Sequence, residues 1–187
     1  MYFPFYCEQR QPPSFLSIDT DGRVLRFDSL SKVLSSGLRI GFATGPKALI
    51  DRITLHMQCS VLHTSGLSQA VAYALVSQWG AEGWARHIQL VQNFYRQRRD
   101  VFLALLKKHL TGLAEWNVPT AGMFVWIKLA GVQDSKALIE EKAREKKVLL
   151  MPGQAFVPSS KATSYVRASF SIATETDMDL FVVSSPP

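Results

Sequence analysis

Residues 28–41 read Asp-Ser-Leu-Ser-Lys-Val-Leu-Ser-Ser-Gly-Leu-Arg-Ile-Gly. The string sets two hydroxyls, Ser29 and Ser31, beside the amine of Lys32, with the guanidinium of Arg39 seven residues on and glycines at 37 and 41. Hydroxyls and an arginine are what a phosphate monoester needs, since they supply neutral donors and a planar, bidentate cation. Glycines let the backbone approach a neighbour closely or take positive φ. A lysine beside such a phosphate site can form a Schiff base with an aldehyde-bearing cofactor, and a neighbouring cation together with desolvation keeps its amine nucleophilic. Ser-x-Ser-Lys by itself is a common tetrapeptide and reads as a solvated, serine-rich loop. Gly37, Arg39 and Gly41 in their places turn the balance toward a site.

The elements that must hold this loop follow from the flanking pattern. Residues 14–19 and 23–27 are short apolar runs around Thr20-Asp21-Gly22, which signals a turn. Residues 38–44 predict a short buried strand, closed by Gly45-Pro46, that draws Arg39 back toward the loop. A helix is expected from Lys47 to about His56, with Leu49, Ile50 and Ile53 on one face, and a second from Ser65 to Trp79, ending at Gly80. Residues 83–110 keep Trp84, Ile88, Val91, Tyr95, Phe102, Leu105 and Leu106 at helical spacing. They predict one amphipathic helix of about 40 Å at ~1.5 Å per residue, linking two lobes. Its aromatic stripe reads as core, not as a cofactor box.

Beyond it the pattern changes. Residues 113–118 and 123–129 are strand-like, separated by Pro119-Thr-Ala-Gly122. Asp134 caps a helix beginning at Ser135, with Leu138, Ile139 and Ala143 on one face. Strands follow at 148–151, stopped by Pro152-Gly153, and at 165–170. Residues 174–182 begin a last helix, with Thr174 as its cap and Asp177 in its first turn. Strands alternating with helices make this an α/β chain.

Composition bounds the reading. In 187 residues, 47% are hydrophobic and 19% charged, the profile of a folded chain of one domain or one and a half. No apolar run approaches the ~20 residues of a membrane-spanning helix. The net charge of +6 is spread over the chain, with small clusters at 96–99 and 142–147 that read as solvated helix faces. It lacks the basic stripe with interleaved aromatics that nucleic acid would require. Cys7 and Cys59 stand far apart with no metal-ligand neighbours, so no metal site is expected and a reduced intracellular compartment fits. The opening Met1-Tyr-Phe-Pro-Phe-Tyr has the features of neither a signal nor a transit peptide and reads as the middle of something longer.

The string Ser-Leu-Ser-Lys32-x4-Gly-Leu-Arg39-Ile-Gly resembles the lysine signature of the class I and II, fold type I, pyridoxal-phosphate aminotransferases. Three further strings resemble the same family in the same order. They are Trp116-Asn-Val-Pro-Thr-Ala-Gly-Met-Phe-Val-Trp-Ile-Lys128, Val148-Leu-Leu-Met-Pro-Gly-Gln-Ala-Phe156 and Tyr165-Val-Arg-Ala-Ser-Phe170. The resemblance implies pyridoxal 5'-phosphate as cofactor and Lys32 as the lysine that bonds its aldehyde and shuttles the proton. It implies Arg39 and Ser29, and more weakly Ser31, as phosphate ligands, Tyr2 as the partner of the cofactor's 3-hydroxyl oxygen, and Arg167 as the reader of the substrate α-carboxylate.

It also implies a division of the chain. Residues 1–85 correspond to the last part of the large cofactor-binding domain. Residues 86–187 correspond to the linking helix and the small C-terminal domain, cut short at its end. The expected reaction is ping-pong transamination between an amino acid of the aminoadipate or kynurenine kind and 2-oxoglutarate, in a homodimer, with no nucleic acid and no membrane involved. A mitochondrial matrix location is implied, with the cytoplasm as the alternative. The family's upstream half, with the aspartate that keeps the pyridine nitrogen protonated, is absent, so the chain reads as part of an enzyme. The alternative is an inactive product that at most dimerises with a full-length partner.

Overall fold

A computed structural model describes residues 13–146, 148 and 150–183. The chain divides into two compact units, Met1–Gln92 and Asn93–Pro187.

In the first unit the 3-10 turn Phe15–Ile18 leads to a loop organised by Asp19. Its carboxylate accepts the backbone N–H groups of Val24 (2.9 Å), Arg23 (3.2 Å) and Asp21 (3.4 Å), and these bonds hold its pKa below the usual value. Gly22 supplies the positive φ that the Asp-Gly turn demands. Strand β1 (Arg26–Ser29) then pairs antiparallel with β2 (Gly41–Thr44), the expected strand being shorter than 38–44. After Pro46, helix α1 runs Lys47–Ser60. Helix α2 spans Gly66–Leu110 with a break at Gly80 (φ 56, ψ −165), where the pattern ends one helix and starts the next. Among the described residues of this unit the buried apolar ones are Val33 and Ala72; Phe15, Phe27, Leu67 and Tyr73 are largely exposed.

The core lies in the second unit. Strands β3 (Ala114–Trp116), β4 (Phe124–Leu129), β5 (Met151–Pro152) and β6 (Tyr165–Ser169) form one antiparallel sheet in the order β3-β4-β6-β5. Alternation along β4 and β6 sends Val125, Ile127, Val166 and Ala168 to a buried face and Phe124, Trp126, Tyr165 and Arg167 to the other. Phe102 and Leu106 of α2 are also buried, with Phe102 packed 6.2 Å from Phe170. Asp134 caps α3 (Ser135–Leu138) as its sequence predicts, its Oδ1 accepting from Lys136 N at 2.9 Å. A π-helical turn, Ile139–Ala143, continues it. Ser135 is fully buried, and its hydroxyl donates to the Tyr165 carbonyl at 2.7 Å, tying α3 to β6. All strand pairs among the described residues are antiparallel. None of the described helices is long and apolar enough to cross a membrane.

Helix α4 (Glu175–Val183) opens with a reciprocal cap. Asp177 N donates to Thr174 Oγ1 (3.1 Å), while Thr174 N and Oγ1 donate to Asp177 Oδ2 (3.1 and 2.6 Å). Two residues on, Asp179 accepts from His109 Nε2 of α2 at 2.8 Å. The pKa values of both aspartates are lowered, Asp177 by its bonds to Thr174 and Asp179 first by its bond to His109. A carboxyl whose pKa is depressed by folding adds stability above its unfolded value and loses it as pH falls through the folded value. Thermal melts followed by circular dichroism should therefore show the midpoint dropping below about pH 4, the ordinary aspartate range. The double variant Asp177→Asn, Asp179→Asn should lose the part of that acid dependence owed to these two groups, Asp19 keeping its own. An unchanged slope would exclude these two groups as its source.

Candidate functional site

The Lys32 loop is built from two capped 3-10 turns. At the end of β1, Ser29 adopts extended backbone, and its Oγ accepts Ser31 N at 3.2 Å, capping the turn Leu30–Lys32. Ser35 does the same for the turn Ser36–Leu38 through Gly37 N at 3.3 Å. Arg39 then takes a left-handed conformation (φ 51, ψ 40). This bend folds its guanidinium back over the loop, where Nη1 donates to the Ser36 carbonyl (3.0 Å) and to Ser31 Oγ (3.3 Å). The positive φ thus falls on the arginine itself, not on a glycine. Gly41 serves the other glycine role, close approach: a Cβ there would lie 2.8 Å from the Asp28 carbonyl oxygen. Leu30 N donates to the Ile40 carbonyl at 3.0 Å and closes the loop at its neck.

Lys32 is half-buried at the end of the first turn, and its amine has no hydrogen-bond or ion-pair partner among the described residues. The next residue, Val33, is buried, and its carbonyl receives His87 Nε2 of α2 at 2.6 Å. A carbonyl only accepts, so Nε2 carries the proton. Trp79 stacks on the His87 ring at 4.8 Å and Trp84 lies 6.0 Å from it, fixing the donor. Sequence reasoning did not single out His87. The available signal was its place three residues after Trp84 on the stripe that packs inward.

A cavity of about 420 Å³ opens beside β1 and β2, lined by Asp28, Ser29, Leu30, Val33, Phe42 and Trp84 among others. Asp28 Oδ2 pairs with Arg26 Nε at 2.8 Å, whereas its Oδ1 is buried with no hydrogen-bond partner among the described residues. Lys32, Ser31 and Arg39 do not line this cavity.

In the second unit, Arg167 stands on β6 opposite Trp126 of β4 and Met151 of β5. Its Cζ lies over the ring of Phe124 (4.1 Å) and over that of Phe156 (4.7 Å). The structure therefore brings Ser29, Ser31, Lys32 and Arg39 together in one loop and sets Arg167 on the open face of the other unit's sheet. Tyr2 lies outside the described residues. No group of three or more metal-ligating side chains occurs among the described residues.

Residues 5–184 match the family Aminotransferase class I and II. The mitochondrial kynurenine/alpha-aminoadipate aminotransferase of Rattus norvegicus is 57% identical over 169 residues, covering 90% of this chain and 40% of the relative. That of Bos taurus is 54% identical over 181 residues, 95% of this chain and 43% of the relative. Among solved structures, the alpha-aminoadipate aminotransferase of Thermus thermophilus, complexed with N-(5'-phosphopyridoxyl)-L-leucine, superposes with a TM-score of 0.88 at 25% identity, covering 98% of this chain and 46% of that one. The kynurenine aminotransferase of Pyrococcus horikoshii gives 0.86 at 28% identity, over 96% and 44%. The chain spans about two fifths of the length of the curated relatives it matches.

The Arg39 bend separates shape from charge in one substitution. Glycine accepts the left-handed backbone without a Cβ clash. Arg39→Gly should thus stay within about 1–2 kcal/mol of the parent in urea unfolding, by the usual cost of that conformation. With Arg39 in the phosphate-ligand role expected from the sequence, phosphate affinity, read by calorimetric titration, should fall about ten- to a hundredfold. Undiminished phosphate binding would remove Arg39 from the site.

Proposed function

The chain belongs to the class I and II aminotransferases, and from that premise we propose that its residues serve pyridoxal-phosphate-dependent transamination. An amino acid of the aminoadipate or kynurenine kind gives up its amine and 2-oxoglutarate takes it, in ping-pong order. The observation that carries the reading is the Lys32 loop, in which Ser29 caps the turn that ends at Lys32, Arg39 donates to the Ser31 hydroxyl, and the lysine amine has no partner among the described residues. That donor set fits a phosphate monoester bearing an aldehyde.

In this reading Ser29, Ser31 and Arg39 hold the phosphate. Lys32 Nζ would hold the aldehyde carbon, and its amine is the base that would take the α-proton and return it. Tyr2 would donate to the cofactor's 3-hydroxyl oxygen. Arg167 takes the substrate α-carboxylate, for which its planar fork is the matching shape. Bound pyridoxal phosphate would supply the electron sink that makes the α-proton acidic. We assign residues 1–85 to the large cofactor-binding domain and 86–187 to the linking helix and small domain, in a homodimer. The mitochondrial relatives support a mitochondrial matrix location.

A second reading applies to the 187-residue chain by itself. Its Lys32-bearing unit buries only Val33 and Ala72 as apolar core among the described residues, too little to hold a reaction geometry unaided. Here the chain alone is catalytically silent, and the activity belongs to an assembly that covers the exposed face of this unit.

Two measurements test these readings. Pyridoxal phosphate offered to the chain and reduced with borohydride should leave a phosphopyridoxyl group on Lys32, found by peptide mass mapping. Label on Lys47, Lys107 or Lys161 at the same level as on Lys32 would refute the assignment. Conversion of aminoadipate or kynurenine with 2-oxoglutarate by the chain alone should not exceed that of Lys32→Ala. Lys32-dependent turnover at an ordinary enzyme rate, on the order of 1–10³ per second, would overturn the second reading and leave the first standing.

A further inference from the structure

The guanidinium of Arg167 is held differently from the other arginines packed into this fold. Arg99 Nη2 sits 2.7 Å from Asp100, Arg26 Nε 2.8 Å from Asp28, and Arg98 Nε donates to the Phe170 carbonyl at 3.1 Å. Arg167 has no carboxylate and no hydrogen-bond acceptor among the described residues; its contacts are the ring faces of Phe124 and Phe156. Both distances, 4.1 and 4.7 Å, are well inside the ~6 Å within which a ring quadrupole attracts a cation.

Each ring is placed by a feature of the fold. Phe124 comes from the pairing of β4 with β6. Arg167 is the partner of Trp126 and Ser169 of Phe124, so Phe124 and Arg167 are diagonal neighbours on one face. Phe156 comes from the 3-10 turn Gly153–Phe156 that follows β5. That turn lies so near β6 that a Cβ on Gly153 would stand 2.6 Å from the Tyr165 carbonyl oxygen and 2.9 Å from Thr163 Cγ2. The Phe156 ring is then braced edge-on by Trp126 (5.3 Å, 86°), which itself stacks on Tyr165 (5.6 Å, 16°). Arg167 thus lies in an aromatic slot whose Phe156 wall is braced by Trp126.

We propose that Phe124 and Phe156 are positioning residues for Arg167, clamping the guanidinium by its faces so that its N–H edge receives the carboxylate of an amino or oxo acid. The proposal rests on Arg167 reading that carboxylate. Arginine's five N–H donors lie in the plane of the group. Contacts over the faces leave the donors free, whereas an acidic neighbour would occupy them and cancel the charge. A free arginine also loses much rotamer entropy when it binds; here that loss is taken before the ligand arrives. The clamp therefore tunes affinity for carboxylates of either half-reaction without itself touching the reacting atoms.

The test reads Arg167 directly by NMR in the isotope-labelled 187-residue chain. Its Nε–Hε resonance, identified by its disappearance in Arg167→Gln, should lie upfield of the other arginines through the ring currents of two faces. Phe124→Leu and Phe156→Leu should each move it toward them; Phe124→Tyr and Phe156→Tyr should not. Titration with glutarate, a plain dicarboxylate, should give affinities about three- to fivefold weaker in the leucine variants, by the usual strength of one cation–π contact, and restored in the tyrosine variants. An ordinary Nε–Hε shift in the parent chain would overturn the clamp. So would leucine variants that bind glutarate like the parent while Arg167→Gln has lost it. Glutarate binding that survives Arg167→Gln would instead overturn the carboxylate reading on which the clamp rests.

Discussion

At Gly41 the backbone of β2 comes so close to β1 that there is room for a hydrogen and not for a methyl, the nearest atom being the Asp28 carbonyl oxygen. This pinch organises the first unit's site. With Gly41 against Asp28 and Leu30 N on the Ile40 carbonyl, the intervening residues leave the ladder as a closed loop. That loop can only turn back on itself, and it does so through two serine-capped 3-10 turns and the left-handed Arg39. The second unit uses the same device, with Gly153 against the Tyr165 carbonyl bringing Phe156 over Arg167. In both units a glycine with a steric reason stands close in sequence to the side chain proposed to do chemistry, Gly41 to Lys32 and Gly153 to Arg167.

Much of this was legible in the sequence where the cause is local. The caps at Asp134 and Thr174 depend on one side chain and the next turn of backbone, and both form as their residue types dictate. The break at Gly80 was marked by the end of one apolar period and the start of another. The serine–lysine–arginine string puts Ser31 and Arg39 in one loop, and there the guanidinium donates to the Ser31 hydroxyl at 3.3 Å. The residue carrying the strain was less legible, since glycine is the default for positive φ and Arg39 takes it where Gly37 does not. Such a conformation in a bulky residue is held by its surroundings, here by bonds to Ser36 and Ser31.

What the sequence hid is what depends on register. Phe124, Phe156 and Arg167 are spread over more than forty positions, and nothing in their spacing says that they meet. Their meeting follows from Trp126 facing Arg167 across a strand pair and from a turn anchored at Gly153. Arg167 itself was named only through the resemblance, which covers the motif and not the aromatic slot. His87 escaped for the same reason: its partner, the Val33 carbonyl, is 54 residues away. The uneven core was also unreadable from composition, because 47% hydrophobic content does not say which residues are left uncovered. Phe27 and Tyr73 in the first unit are exposed, while Phe102 and Phe170 in the second are almost wholly buried.

The open face of the second unit's sheet has a property of practical use. Trp126 stacks on Tyr165, touches Phe156 edge-on and faces Arg167 across the strand pair. An indole in that position feels the field of the cation and the packing of the ring that covers it. Its emission wavelength and quantum yield thus register whether the arginine's charge is bare or neutralised, and the fold carries its own fluorescent indicator beside Arg167.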